Sequence, residues 1–373
     1  ISMARRIAVR HCSLYDVPRA EINIGDGCWG GHLIESCDVF DTVMETGDHG
    51  SFNSWGRDRY WSRDVREVDK QVAADPALPY LDMIEPTILR NSRWRCDHGW
   101  DIDLDDGSSN YQIYNNLLLH GGLKLREGYG RTATNNIIVN NSLHPHVWFE
   151  NSGDVFARNI VMGPYRPARM DIARWGKEVN RNLFTTSEAD RAKFAGNGCD
   201  ADSRVGDPMF VDAAEGDFRV KDGSPALGLG FSNFPMDQFG VRPPRLRAMA
   251  RQPEMPPLRP GAEDAHSAGG EIRWRGATLR ELMHYEFSAV GVAADAGGAF
   301  VADAPPGSEA FALGLRKGDL IQGVSGKPVR GIKEFAGAIN RAGAEGSMEL
   351  RVIRDQAEMA AVAAWCGDRA SAD

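Results

Sequence analysis

Between Gly99 and Asn110 the chain reads Gly-Trp-Asp-Ile-Asp-Leu-Asp-Asp-Gly-Ser-Ser-Asn. Carboxylates this close repel one another. Ionising one raises the proton affinity of the next, so one acid of the group is expected to hold its proton near neutrality. A carboxylic acid beside a carboxylate is what glycosidic cleavage requires: one protonates the leaving oxygen while the other activates water or attacks carbon. Apolar alternation over this stretch turns Ile102 and Leu104 inward and Asp101, Asp103 and Asp105 outward. Neighbouring outward positions lie about 6.6–7 Å apart along a strand, a separation that leaves room for an activated water. Asp103, with Asp105 or Asp101, is therefore the expected catalytic set. Two other readings of the same residues are a Ca²⁺ site, since clustered carboxylates suit a hard cation, and a plain acidic turn.

Later segments alternate in the same way. Lys124 and Arg126 face outward between Leu123 and Leu125, placed to hold substrate hydroxyls or a substrate carboxylate, with Glu127 beside them. His146, Trp148 and Glu150 are expected outward, with Val147 and Phe149 inward. Asp171 is expected outward between Met170 and Ile172. Trp148 suits stacking on a sugar ring, and His144 or His146 could donate to a sugar or move a proton. Upstream, the glycine-rich run from Glu45 to Arg59 brings Asp48, His49, Trp55 and Arg57 together as a candidate rim.

What must position these residues is a repeat. Asn116, Asn136, Asn159 and Asn182 occupy one position within the similar segments Tyr111 to Leu119, Ala133 to Val139, Phe156 to Met162 and Val179 to Phe184, and follow one another at spacings of 20, 23 and 23 residues. Asparagines at one repeated position can bond amide to amide between successive turns of a chain. The expected fold is an all-β solenoid, a right-handed parallel β-helix over residues 1–240, with one coil per repeat. Ile7 to Ser13, Leu33 to Val39 and Thr87 to Trp94 are read as earlier equivalents. Residues 57–86 break the period as an insertion, helical at Val65 to Val72. Cys12 and Cys37, 25 residues apart, are expected to stack as buried free thiols; the other cysteines, Cys28, Cys96, Cys199 and Cys366, show no metal spacing and no disulfide framework.

The run Gly206-Asp-Pro-Met-Phe-Val-Asp212, then Gly216-Asp-Phe-Arg-Val220, then Gly223-Ser-Pro-Ala-Leu-Gly228 resembles the final coil of pectin-lyase-like right-handed parallel β-helix proteins, a superfamily of glycoside hydrolases and polysaccharide lyases. The resemblance extends over residues 5–232. Gly47 to Trp61 and Gly99 to Asn110 also look like segments of uncharacterised members of that group. It implies a carbohydrate-active enzyme and transfers no nucleophile.

Residues 241–270, rich in proline, arginine and glycine, are expected as a semi-extended linker. Beyond them Gly314-Leu-Arg-Lys-Gly-Asp-Leu-Ile321 and Gly326-Lys-Pro-Val329 resemble PDZ domains over residues 271–356, a small α+β module, with 357–373 as a tail. That resemblance implies capture of a peptide C-terminus by Ala289, Val290 and Gly291, with Phe335 and Ile339 on the helix Ile332 to Ala342. A docking or spacer role is the alternative. Ala277 to His284 is read as a short helix or turn.

The formal charge of −9 divides into about −9 for residues 1–240, +2 for 241–270 and −2 for the rest, which argues against a nucleic-acid partner. No run of eighteen apolar residues exists, so no membrane span is expected. The opening Ile1-Ser-Met-Ala-Arg-Arg6 carries no apolar signal core, yet strand-like sequence begins at Ile7, which suggests missing upstream sequence. An extracellular or periplasmic location is expected from the carbohydrate chemistry. Three functions stand: hydrolysis of a polysaccharide or oligosaccharide by paired aspartates with no cofactor required; a polysaccharide lyase using Lys124 or Arg126 as base with Ca²⁺; and a non-catalytic glycan-binding or scaffold protein.

Overall fold

The computed structural model describes residues 1–25, 29–259, 270–293, 296–342 and 348–363. Cys28 and Cys366 lie outside these. The chain divides into two units, Ile1–Glu263 and Asp264–Asp373.

In the first unit short strands are dealt in rotation to three parallel sheets. The first sheet has seven strands, from Ala8–Arg10 to Glu178–Asn180, and the second has eight, from Ser13–Leu14 to Arg204–Val205. The third has five: β1 (Ile22–Ile24), β2 (Gly50–Ser54), β3 (Trp100–Leu104), β4 (Leu123–Leu125) and β5 (Leu143–Pro145). Helices interrupt the series, notably α1 (Val65–Ala74), capped by Asp64 accepting from the Arg66 and Glu67 N–H groups. The expectation of a single all-β right-handed solenoid is corrected: the architecture is mixed, α/β-like, with three large parallel sheets, interspersed helices and an antiparallel sheet in the second unit.

The segments read as one strand each hold two. Thr87–Arg90 and Arg93–Trp94, for example, are separate strands in different sheets. The bend between them comes from a left-handed residue, Asn91, repeated by Asn115, Asn135, Arg158 and Arg181 with φ between 51° and 58°. The residue after each bend is buried and bonded to its successor. Asn136 Oδ1 takes both the backbone and the amide N–H of Asn116, at 3.0 and 3.1 Å, and Asn159 and Asn182 repeat the pattern. Ser203 ends the row, accepting from the Asn182 N–H and donating to Asp200. Replacing Asn136 with alanine strands several buried polar groups and is expected to destabilise the unit by about 3 kcal/mol; an unchanged guanidinium unfolding midpoint would contradict this.

Asp200 has its own consequence. Burial pushes its carboxyl up to about 6 despite bonds from Ser203, Asn182 and Tyr165. The folded chain therefore keeps this proton from about pH 4, where an unfolded aspartate loses it, up to about 6. Stability falls as pH rises through that window, and Asp200→Asn is expected to flatten that part of a melting-temperature-against-pH curve.

Ile102, Leu104, Leu123, Leu125 and Leu118 fill the interior between the sheets. The outer face of the second sheet is apolar as well, through Leu117, Ile137, Ile160 and Leu183. It is covered by the hairpin Phe210–Asp212/Asp217–Val220 and by Phe231, Phe234 and Phe239. Cys12, Cys37, Cys96 and Cys199 are free thiols. The stretch expected as linker is partly fixed to this unit: Arg251 pairs with Asp16 at 2.6 Å and with Asp41, and Gln252 accepts from Arg93.

The second unit is an antiparallel sheet of seven strands packed against the helix Ile332–Ala342. Ala277–Glu281 is a strand rather than a helix or turn, and Ala357–Ala363, read as tail, pairs along Met348–Arg354. Of the residues expected to capture a peptide, Ala289 and Val290 are buried at the end of a short helix, Phe287–Val290, and Gly291 follows them with φ 76°. Phe335 lies in the core, 5.3 Å from the Trp274 ring, and Ile339 packs on that core. Among the described residues no helix is long and apolar enough to cross a membrane.

Candidate active site

The third sheet carries one lateral row of polar side chains. Its register aligns Asn23 on β1 with Asn53 on β2, Asn53 with Asp103 on β3, Asp103 with Lys124 on β4, and Lys124 with His144 on β5. Neighbouring strands lie about 4.8 Å apart, so these side chains stand shoulder to shoulder on the face opposite the apolar core.

Lys124 is the centre. It has no solvent exposure, and its Nζ lies 3.1 Å from Asp103, 3.4 Å from Asp105 and 3.8 Å from Asp48. The Trp100 ring lies 4.1 Å from the ammonium and holds it by cation–π attraction. Next to it Arg126 meets Asp106 at 3.1 Å, Asp105 at 3.5 Å and Glu127 at 3.5 Å. Arg57, reaching over from the loop after β2, donates to Asp106 and stacks on Trp55 and Trp61. Trp61 donates to Glu127 at 2.6 Å. The insertion holding Trp61 is seated by Tyr60, whose hydroxyl donates to the Gly107 carbonyl and whose ring packs with Tyr129, Phe149 and Val68. Asp48 and Arg57 are the exposed members, so the group meets solvent on the side of the loop from Glu45 to Arg59.

These surroundings separate the two central acids. Burial drives Asp103 well above the usual carboxylate range, and repulsion from Asp105 and Asp48 adds to it against the pull of Lys124. For Asp105 burial acts in the same direction, but Lys124 and Arg126 together outweigh it and hold the carboxyl below its ordinary value. Lys124 is held protonated: the carboxylates Asp103, Asp105 and Asp48 overcome the burial that would neutralise it. Burial and the nearby cations push His144 and His146 well below their ordinary value, leaving both neutral. Trp100 donates to His144 Nδ1 at 3.2 Å, so its Nε2 carries the proton and donates to Asn141 at 2.8 Å.

Of the residues expected from sequence, Asp103, Asp105, Lys124, Arg126, Glu127, Asp48 and Arg57 come together here. Trp55 joins them through Arg57, and His146 through the Trp100 ring, 6.0 Å away. His49 sits at the edge, accepting from Arg19 at 3.0 Å; burial and then Arg19 lower its proton affinity against the opposing pull of Asp48 and Asp105. Others go elsewhere. Asp101 is buried and takes the N–H groups of Cys96, His120 and Gly122, fastening the turn before β3. The Asp101 and Ile102 N–H groups both point at the Gly122 carbonyl, and the Trp100 ring lies against Lys124. Trp148 is in the apolar core with its indole N–H on the Leu125 carbonyl, because Val147 is left-handed, with φ 52°, and reverses the phase of the segment. Glu150 and Asp171 are exposed, whereas Asp103 is buried and Asp105 half-buried.

Sequence reasoning left out Trp100, Trp61, Asn23 and Asn53. The alternation around Phe52 could have found Asn53; nothing in a single sequence ties Trp61 to Glu127.

Ca²⁺ does not fit. Lys124 already sits between Asp103 and Asp105, where a cation would bind, and no group of three or more metal-ligating side chains is arranged for an ion among the described residues. Compared with known proteins, the chain matches no family model and no curated sequence, so the resemblances to glycoside hydrolases, pectin-lyase-like proteins and PDZ domains are not supported.

Proposed function

We propose that the protein hydrolyses glycosidic bonds, with Asp103 as the general acid and Asp105 as the carboxylate that activates water or attacks carbon. The observation that carries this reading is the pair itself: two aspartates in contact with one ammonium, one driven above and the other held below the ordinary carboxylate range. Opposite protonation states at one pH are what acid-assisted glycosidic cleavage needs. Lys124 fixes both carboxylates and keeps the base ionised, while Trp55 and Trp61 offer aromatic faces of the kind that stack on sugar rings. A lyase would need Lys124 or Arg126 as base. Both are held protonated by the acids around them, which favours hydrolysis over elimination.

The test is digestion of a glycan panel by the full chain, read by new reducing ends and by ultraviolet absorbance of unsaturated products. Reducing ends without absorbance are expected. Absorbance would turn the assignment to elimination, and no product from any glycan would leave a binding protein.

A further inference from the structure

The row of side chains continues past the acid pair. Asn53, beside Asp103 in register, is 2% exposed, and its Nδ2 donates to Asn23 Oδ1 at 2.9 Å. Its Oδ1 has no hydrogen-bond partner among the described residues. A buried amide oxygen left unfilled is costly, on the order of 1–3 kcal/mol, and this one adjoins the proposed catalytic acid. The group that satisfies it must be a donor. Asn23 fixes the amide orientation by taking its N–H, which leaves the Oδ1 as the unfilled acceptor beside Asp103 in the register.

The charges nearby restrict the ligand further. Lys124 is against Asp103, Asp105 and Asp48, Arg126 against Asp105, Asp106 and Glu127, and Arg57 against Asp106. Each of these cations already contacts a carboxyl group, so an anionic sugar would have to displace one from its partner. We infer that Asn53, oriented by Asn23, forms a hydroxyl-binding subsite for a neutral glycan, adjoining the acid pair along the row. This rests on the hydrolytic reading above for the identity of the ligand as a sugar.

The experiment titrates the full chain, carrying Asp103→Asn to prevent turnover, with neutral gluco-, xylo- and manno-oligosaccharides and with oligogalacturonate, following tryptophan fluorescence and calorimetry. Binding of a neutral oligosaccharide is expected, with oligogalacturonate much weaker. Adding Asn53→Ala should weaken it about tenfold, the worth of one well-placed hydrogen bond. Asn53→Asp, nearly the same shape, should weaken it too and keeps the test decisive if the alanine variant does not fold. Preference for oligogalacturonate, absence of neutral-sugar binding, or neutral binding indifferent to both substitutions would overturn the subsite. The two readings fail separately. Asn53-dependent binding without turnover by the unsubstituted chain removes the hydrolytic assignment and keeps the subsite, whereas turnover with KM unchanged in the Asn53 variants does the reverse.

Discussion

Asp103→Asn is expected to lower turnover by about 10²–10⁴-fold, the usual worth of a positioned general acid, while the chain folds and binds glycan as before. The amide keeps the shape of the side chain and cannot deliver a proton to the leaving oxygen. The pH dependence should change with it. In the unsubstituted chain the rate rises as Asp105 loses its proton, below the ordinary carboxylate range, and falls where Asp103 loses its own, well above that range. Asp103→Asn should remove the falling limb and leave the rising one. An unchanged rate, or a loss confined to KM, would show that Asp103 is a buried structural acid.

Lys124→Met should have the largest effect on stability. With the ammonium gone, Asp103 and Asp105 lose the cation they share. Removing one partner of a buried ion pair costs about 3–5 kcal/mol. Asp105 also loses part of what holds its carboxyl down, so its proton affinity rises. A depressed carboxyl contributes stability that is present above about pH 4 and lost as pH falls through its folded value; in the variant that acid-side contribution should shrink. Combining Lys124→Met with Asp105→Asn should recover part of the loss, since the ionised acid left stranded is then removed. Denaturant unfolding of the three variants measures this directly, and equal midpoints for Lys124→Met and the parent chain would contradict the account.

Much of the candidate site was legible in the sequence because alternation is a local property. Ile102 and Leu104 point inward, and Asp103, Lys124 and Arg126 stand on one face, as the pattern requires. The spacing of Asn116, Asn136, Asn159 and Asn182 likewise marks a bonded row of amides. Where the backbone leaves the regular pattern, the reading fails. Asp101 is drawn to the N–H groups of the turn before its strand, and the left-handed Val147 shifts the phase by one place and sends Trp148 to the core. The bends at Asn91 and Asn115 split single apolar runs into strands of two sheets, a division that the apolar pattern does not mark. In the second unit, glycine-flanked motifs foretold strands, but whether Ala289 and Val290 would be open or buried depends on packing that a motif does not encode.

That one ammonium holds an acid and a base side by side can be read from the aspartate carboxyl ¹³C resonances of the full chain through a pH titration, with Asp103 and Asp105 assigned by their asparagine variants. At neutral pH Asp103 is expected to carry its proton and Asp105 to have lost its own, with Asp105 titrating below the ordinary aspartate range. Both resonances titrating together at the ordinary value, or Asp103 ionising first, would contradict it.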